Sequence, residues 1–120
     1  MHEMGIASAL VEQLAALARQ HGVARITALH VVCGAMRQVV PEALQWAFAA
    51  ASAGTVADGA TLTVSEQGVT GRCRHCGQQF AAQIDDYRCP QCSVADVEVL
   101  TGQDIVLESV MCEMQDETAV

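Results

Sequence analysis

Cys73-Arg74-His75-Cys76 and Cys89-Pro90-Gln91-Cys92 are two CxxC pairs separated by twelve residues, and their reading decides how this chain is built. Each pair can set two thiolates on one side of a tight turn. Two such turns facing each other supply the four sulfurs that a tetrahedral Zn2+ accepts at roughly 2.3 Å. A lone CxxC is equally a redox motif, but two pairs match the C-x2-C…C-x2-C class of site with a slightly shortened spacer. Iron fits the same sulfurs, and zinc is the default in ordinary cytosol. Four cysteines close the coordination sphere, leaving no position for substrate or water, so the expected role of the metal is structural.

The spacing also divides the chain. Residues 69–97 form a cysteine module too short for a core of its own, whose order must come largely from the metal, with Phe80 and Tyr87 as its only sizeable apolar cover. Residues 1–68 and 98–114 remain for an α/β domain into which the module is inserted, and the polar tail 115–120 is expected to fray. Upstream, Met4 to Gln20 reads as an amphipathic helix. Ala7, Leu10, Val11, Leu14, Leu17 and Ala18 recur at steps of three and four. Gly22 supplies the stop, and His21 suits the negative pole of the helix end. Arg25 to Cys33 reads as a strand with two largely apolar faces, carrying His30 as a hydrogen-bonded residue and Cys33 as a small hydrophobe. Pro41 and Glu42 open a second helix running to about Ala53 and closing at Gly54. Its stripe is Leu44, Phe48 and Ala51, and Trp46 is expected to pack at its edge. Ala60 to Glu66 alternates as a half-buried strand with Leu62 and Val64 facing in. Gln103 to Glu113 forms the last strand, with Ile105, Leu107 and Met111 on one face and Val106, Glu108, Val110 and Cys112 on the other. The order of elements predicts a small three-stranded mixed sheet with two helices, the strand-helix-strand unit 25–66 closing through a right-handed crossover.

Composition narrows the function. The 120 residues are 52% hydrophobic, enough for one modest core, and fourteen acidic residues face six arginines for a net charge of −8. Such a balance argues against phosphate backbones and anionic membranes and favours a cation or cationic partner. The alternative function is a zinc-ribbon module that binds nucleic acid or protein; within 69–97, Arg72, Arg74 and Arg88 are balanced by Asp85, Asp86 and Asp96, so its nucleic-acid form lacks a basic footprint. Six cysteines, four committed to a metal, point to a reducing compartment. No basic n-region or membrane-length apolar run is visible, so a cytoplasmic protein is expected. No Ser/His/Asp set, phosphate loop or open metal site marks an enzyme.

The other candidate site is Met1-His2-Glu3. The terminal amine, the His2 backbone nitrogen and His2 Nδ1 can form adjoining chelate rings, with Glu3 offering its amide nitrogen or carboxylate. That nitrogen-rich, nearly planar set is preferred by Ni(II) and Cu(II).

Taken together, Met1-His2-Glu3-Met4 leading into the first helix, Cys33-Gly34-Ala35-Met36 at the strand end, Val40-Pro41-Glu42-Ala43-Leu44, Gly54-Thr55, and the pairs Cys73-x-x-Cys76 and Cys89-Pro90-x-Cys92 resemble the HypA/HybF family, over essentially the whole chain and in the same order. These are nickel metallochaperones of [NiFe]-hydrogenase maturation. The resemblance implies that His2 is the nickel ligand and that Cys73, Cys76, Cys89 and Cys92 hold structural zinc. It further implies a HypB-type GTPase and the hydrogenase large subunit as partners, with urease served by some relatives, and a monomer or weak homo-oligomer. Histidines flank both cysteine pairs in some members. Only His75 represents them here, and Ser93 follows the second pair.

Overall fold

The computed structural model describes residues 3–115, so Met1, His2 and the last five residues of the expected tail lie outside the described residues. Along the chain come α1 (Glu3–His21), β1 (Val23–Gly34), a single 3-10 turn (Ala35–Arg37), α2 (Pro41–Ser52), β2 (Thr61–Gln67), β3 (Val69–Cys73), β4 (Gln79–Ala82), β5 (Val97–Thr101) and β6 (Ile105–Met114). The chain up to Val31, Val39–Val64 and the chain from Leu107 form one compact unit, and Val32–Gln38 with Ser65–Val106 form a second.

In the first unit, the apolar stripe of α1 becomes its buried face. Ala7, Leu10, Leu14 and Ala18 recur at three- and four-residue intervals and are all nearly inaccessible. The expected stop is observed, because Gly22 takes φ +65, a left-handed conformation that only glycine adopts without Cβ strain. Pro41 opens α2 as expected. Leu44, Ala47 and Phe48 pack inward from this helix, and burying a side chain the size of Phe48 stabilises the fold by about 1.5–3 kcal/mol. Trp46 does not pack at the helix edge. It lies about a third to half a turn off the stripe and is 83% exposed.

The main sheet has the order β2-β1-β6. Central β1 buries Val23, Ile26, Leu29, Val31 and Cys33. Contacts from β1 to β6 run in opposite senses along the two strands: Arg25 meets Glu113 at 3.8 Å, Thr27 Oγ1 donates to the Met111 carbonyl at 3.2 Å, and His30 Nδ1 meets Glu108 at 3.1 Å. The pair is therefore antiparallel. His30 accordingly has a carboxylate partner, and burial pushes the Cys33 thiol above its ordinary pKa, as befits a small core hydrophobe. In β2, Leu62 is buried and Thr63 Oγ1 donates to the Leu29 carbonyl.

The second unit contains a sheet of its own, order β4-β3-β5. β3 pairs antiparallel on both edges, Gly71 opposite Phe80 on one side and opposite Val99 on the other. The last strand, expected over 103–113, is Ile105–Met114. Ahead of it Val97–Thr101, which the sequence reading leaves without an element, pairs with β3. Val97 and Val99 alternate with Glu98, but so short an alternation does not say which strand some thirty residues away it pairs with.

Candidate metal centre

The two cysteine turns are built alike. In the first, the Cys73 N–H donates to the Gln78 carbonyl at 2.9 Å and the Gly77 N–H returns to the Cys73 carbonyl at 2.8 Å. In the second, the Cys89 N–H donates to the Val94 carbonyl at 2.9 Å and the Ser93 N–H to the Cys89 carbonyl at 2.8 Å. Each turn thus needs a left-handed residue immediately after its second cysteine. Gly77 supplies it at φ +79, and Ser93 supplies it at φ +63 despite carrying a Cβ. That common requirement is visible in the sequence as a glycine after the first pair, and a serine after the second hides it.

These turns bring the four sulfurs together. Cys73 Sγ lies 3.5 Å from Cys92 Sγ and Cys76 Sγ lies 3.6 Å from Cys89 Sγ. All four ligand atoms fall within 4.8 Å of one another. A tetrahedron with metal–sulfur bonds of roughly 2.3 Å has edges of about 3.8 Å. The cluster therefore fits a single four-coordinate ion, with soft donors suited to zinc or iron. Cys73 and Cys89 are buried, Cys92 is half-buried and Cys76 is exposed. Backbone N–H groups already favour one thiolate: the N–H of Cys76 first, with that of His75, holds the Cys73 thiol down at about 7. Cys92 moves the other way. The N–H of Val94 pulls it down, but burial and the neighbouring thiols outweigh that and push it up to about 12. Four thiols this close share their protons unequally, and a divalent cation is what allows all four to ionise together.

The surroundings of the centre are polar and neutralised. Arg74 donates to Asp96 and to the Val97 carbonyl, both at 3.0 Å. Arg72 meets Glu98 at 3.4 Å, and Arg88 grips Asp86 with two bonds of 3.0 Å. The Arg88 guanidinium holds the Asp86 carboxyl down at about 2. His75 is exposed on the first turn.

At the other candidate site, only Glu3 is described. It opens α1, is 7% exposed, and its Oε2 accepts a long hydrogen bond of 3.4 Å from the Val40 N–H just before α2. A carboxylate in the first turn also suits the positive end of the α1 dipole. Among the described residues, the one group of three or more His, Cys, Asp or Glu side chains able to hold a metal is the cysteine set, and Glu3 is not a member of it. No helix among them is long and apolar enough to cross a membrane.

Residues 1–112 match the family model described as "Hydrogenase/urease nickel incorporation, metallochaperone, hypA". The chain is 40% identical over 119 residues to the hydrogenase maturation factor HypA of Roseiflexus sp. (strain RS-1), covering 98% of this chain and 95% of that protein. It is 33% identical over 117 residues to the hydrogenase maturation factor HypA of Chlorobium luteolum, covering 98% and 100%. In fold it is similar to the solution structure of the Ni metallochaperone HypA from Helicobacter pylori, with a TM-score of 0.73, 22% identity and coverage of 96% of this chain and 100% of that one. A match spanning both helices, both sheets and all four clustered cysteines places this chain in the HypA family of nickel-incorporation metallochaperones.

Proposed function

We propose that this protein carries Ni(II) at its N-terminus and, with a HypB-type GTPase in the cytoplasm, delivers it to the large subunit of [NiFe]-hydrogenase. In this reading Cys73, Cys76, Cys89 and Cys92 hold a structural zinc. The observation that carries the proposal is membership in a nickel-incorporation family over residues 1–112, on a chain that keeps His2 and Glu3 at its start. The Met1 amine, the His2 backbone nitrogen and the His2 imidazole are the nickel ligands. The Glu3 carboxylate is engaged by the Val40 N–H. Glu3 adds its amide nitrogen or its carboxylate to this set.

The two metals then have opposite kinetics. A closed set of four thiolates exchanges slowly and keeps shape, whereas a terminal chelate gives its ion up. Copper prefers the same nitrogen set over nickel, so selectivity rests on the partners and on availability. The alternative of a zinc ribbon that reads nucleic acid or protein is not favoured, because the three guanidinium groups of the cysteine module are each held by a carboxylate.

The test is nickel titration of the native chain, His2→Ala, and a chain extended before Met1. Both variants should bind at least about tenfold more weakly, and affinity should fall on acidification as the amine and imidazole take up protons. Equal affinity in all three overturns the proposal.

A further inference from the structure

The end of β6 places three sulfur side chains within four residues, Met111-Cys112-Glu113-Met114. Strand alternation puts Cys112 and Met114 on one face and Met111 on the other. Cys112 Sγ and Met114 Sδ lie 4.0 Å apart. Both line an open groove of about 500 Å3, whose wall also carries the imidazole of His21, from the last turn of α1, and the Glu108 carboxylate, which is paired with His30.

Backbone contacts hold these donors to the same place. The Gln115 N–H donates to the Gly22 carbonyl at 2.8 Å, tying the end of β6 to the turn that follows His21. Thr27 Oγ1 and Arg25 fasten the preceding residues of β6 to β1. Core packing does not explain the sulfurs, since Cys112 is exposed and Met114 is 57% exposed.

A thiolate, a thioether and an imidazole form a soft donor set, and the thioether in particular selects monovalent copper over zinc or nickel. Two sulfurs bonded at about 2.3 Å to a trigonal ion stand roughly 4.0 Å apart, against about 4.6 Å for a linear one. The observed separation matches the trigonal case without moving either sulfur.

We propose that Cys112, Met114 and His21 form a binding site for Cu(I), separate from the four-cysteine centre and from the N-terminus. On binding, the Cys112 thiol loses its proton to solvent as the copper–thiolate bond forms, and the copper remains monovalent throughout.

The experiment uses the zinc-loaded full chain, kept anaerobic, and offers Cu(I) as its bicinchoninate complex. Three readouts are followed together: loss of the chelate colour, zinc release to an indicator, and the methyl resonances of 13C-methyl-methionine protein, with Met114 assigned from Met114→Leu. The expected result is one Cu(I) taken up per chain, no zinc released and a shifted Met114 methyl signal. Cys112→Ser should weaken uptake by about 100-fold and His21→Ala by about 10-fold, with zinc content unchanged in both. These positions are exposed, and unchanged amide exchange protection of α1 and β1 reports that the variants fold. Uptake matched by zinc release, an unmoved Met114 methyl, or unaltered affinity in Cys112→Ser overturns the proposal.

Discussion

Ser93 and Gly77 occupy equivalent positions in the two cysteine turns, yet only one of them is suited to its conformation. An L-residue in the left-handed region costs roughly 1–2 kcal/mol, a cost glycine avoids. Two opposite outcomes follow. Gly77→Ala should weaken the metal-loaded module by about 1–2 kcal/mol, while Ser93→Gly should leave it unchanged or stabilise it by up to ~1 kcal/mol. Denaturant unfolding of the zinc-loaded variants checks both signs. Equal destabilisation by the two changes would mean that the shared turn geometry is not what holds the sulfurs in place. The same residue scale explains why a serine signals nothing in the sequence: its requirement is visible only as a backbone angle.

Among the elements, β1 is the one whose tail is most constrained. Gly34 has φ −63, a value open to any residue, so its glycine is not required by conformation. It is required by contact. A Cβ there would come within 2.3 Å of the backbone carbon and oxygen of Gly102, where the Gly34 and Met36 N–H groups donate to the Asp104 and Gly102 carbonyls. Gly34→Ala should therefore destabilise the second unit by about 1–3 kcal/mol or more, since backbone cannot yield as a side chain can. Trp46 of α2 sets the contrast. Despite its size it is almost fully exposed, and Trp46→Ala should change stability by less than about 0.5 kcal/mol. Thermal unfolding of the two variants distinguishes contact from size as the determinant. The apolar stripe of α2 was legible because Leu44 and Phe48 recur at helical spacing, and the same spacing turns Trp46 away from that stripe.

At the scale of the whole molecule, the two units are ordered by different means. The first is held by Leu10, Leu14, Ile26, Leu29, Leu44 and Phe48, all buried. The buried apolar residues of the second are Cys33, Ala35, Val69, Cys73 and Cys89, of which two are metal ligands in our reading. So small a core does not offset the chain entropy of some fifty residues, and metal binding free energy becomes folding free energy. Chelating the metal, or Cys73→Ala, should abolish amide exchange protection in β3, β4 and β5 and leave it in α1 and α2. Full protection of β3 to β5 without metal would show that the ion is not what orders them.

The chain by itself determined the four-cysteine cluster and most elements of the first unit. CxxC spacing, helical periodicity in Leu10-Leu14 and Leu44-Phe48, and start and stop signals such as Pro41 and Gly22 all act within one or two turns of backbone, so they survive in a linear reading. The family was legible for the same reason, as a succession of such local motifs beginning with Met1-His2-Glu3. Tertiary structure alone decided that Val97–Thr101 joins β3, that Gly34 must admit the backbone of Gly102, and that His21 lines one groove with Cys112 and Met114, some ninety residues away. Those outcomes depend on pairing and close approach between distant segments, and the free energy of such contacts is a property of the packed fold, carried by no single stretch of sequence.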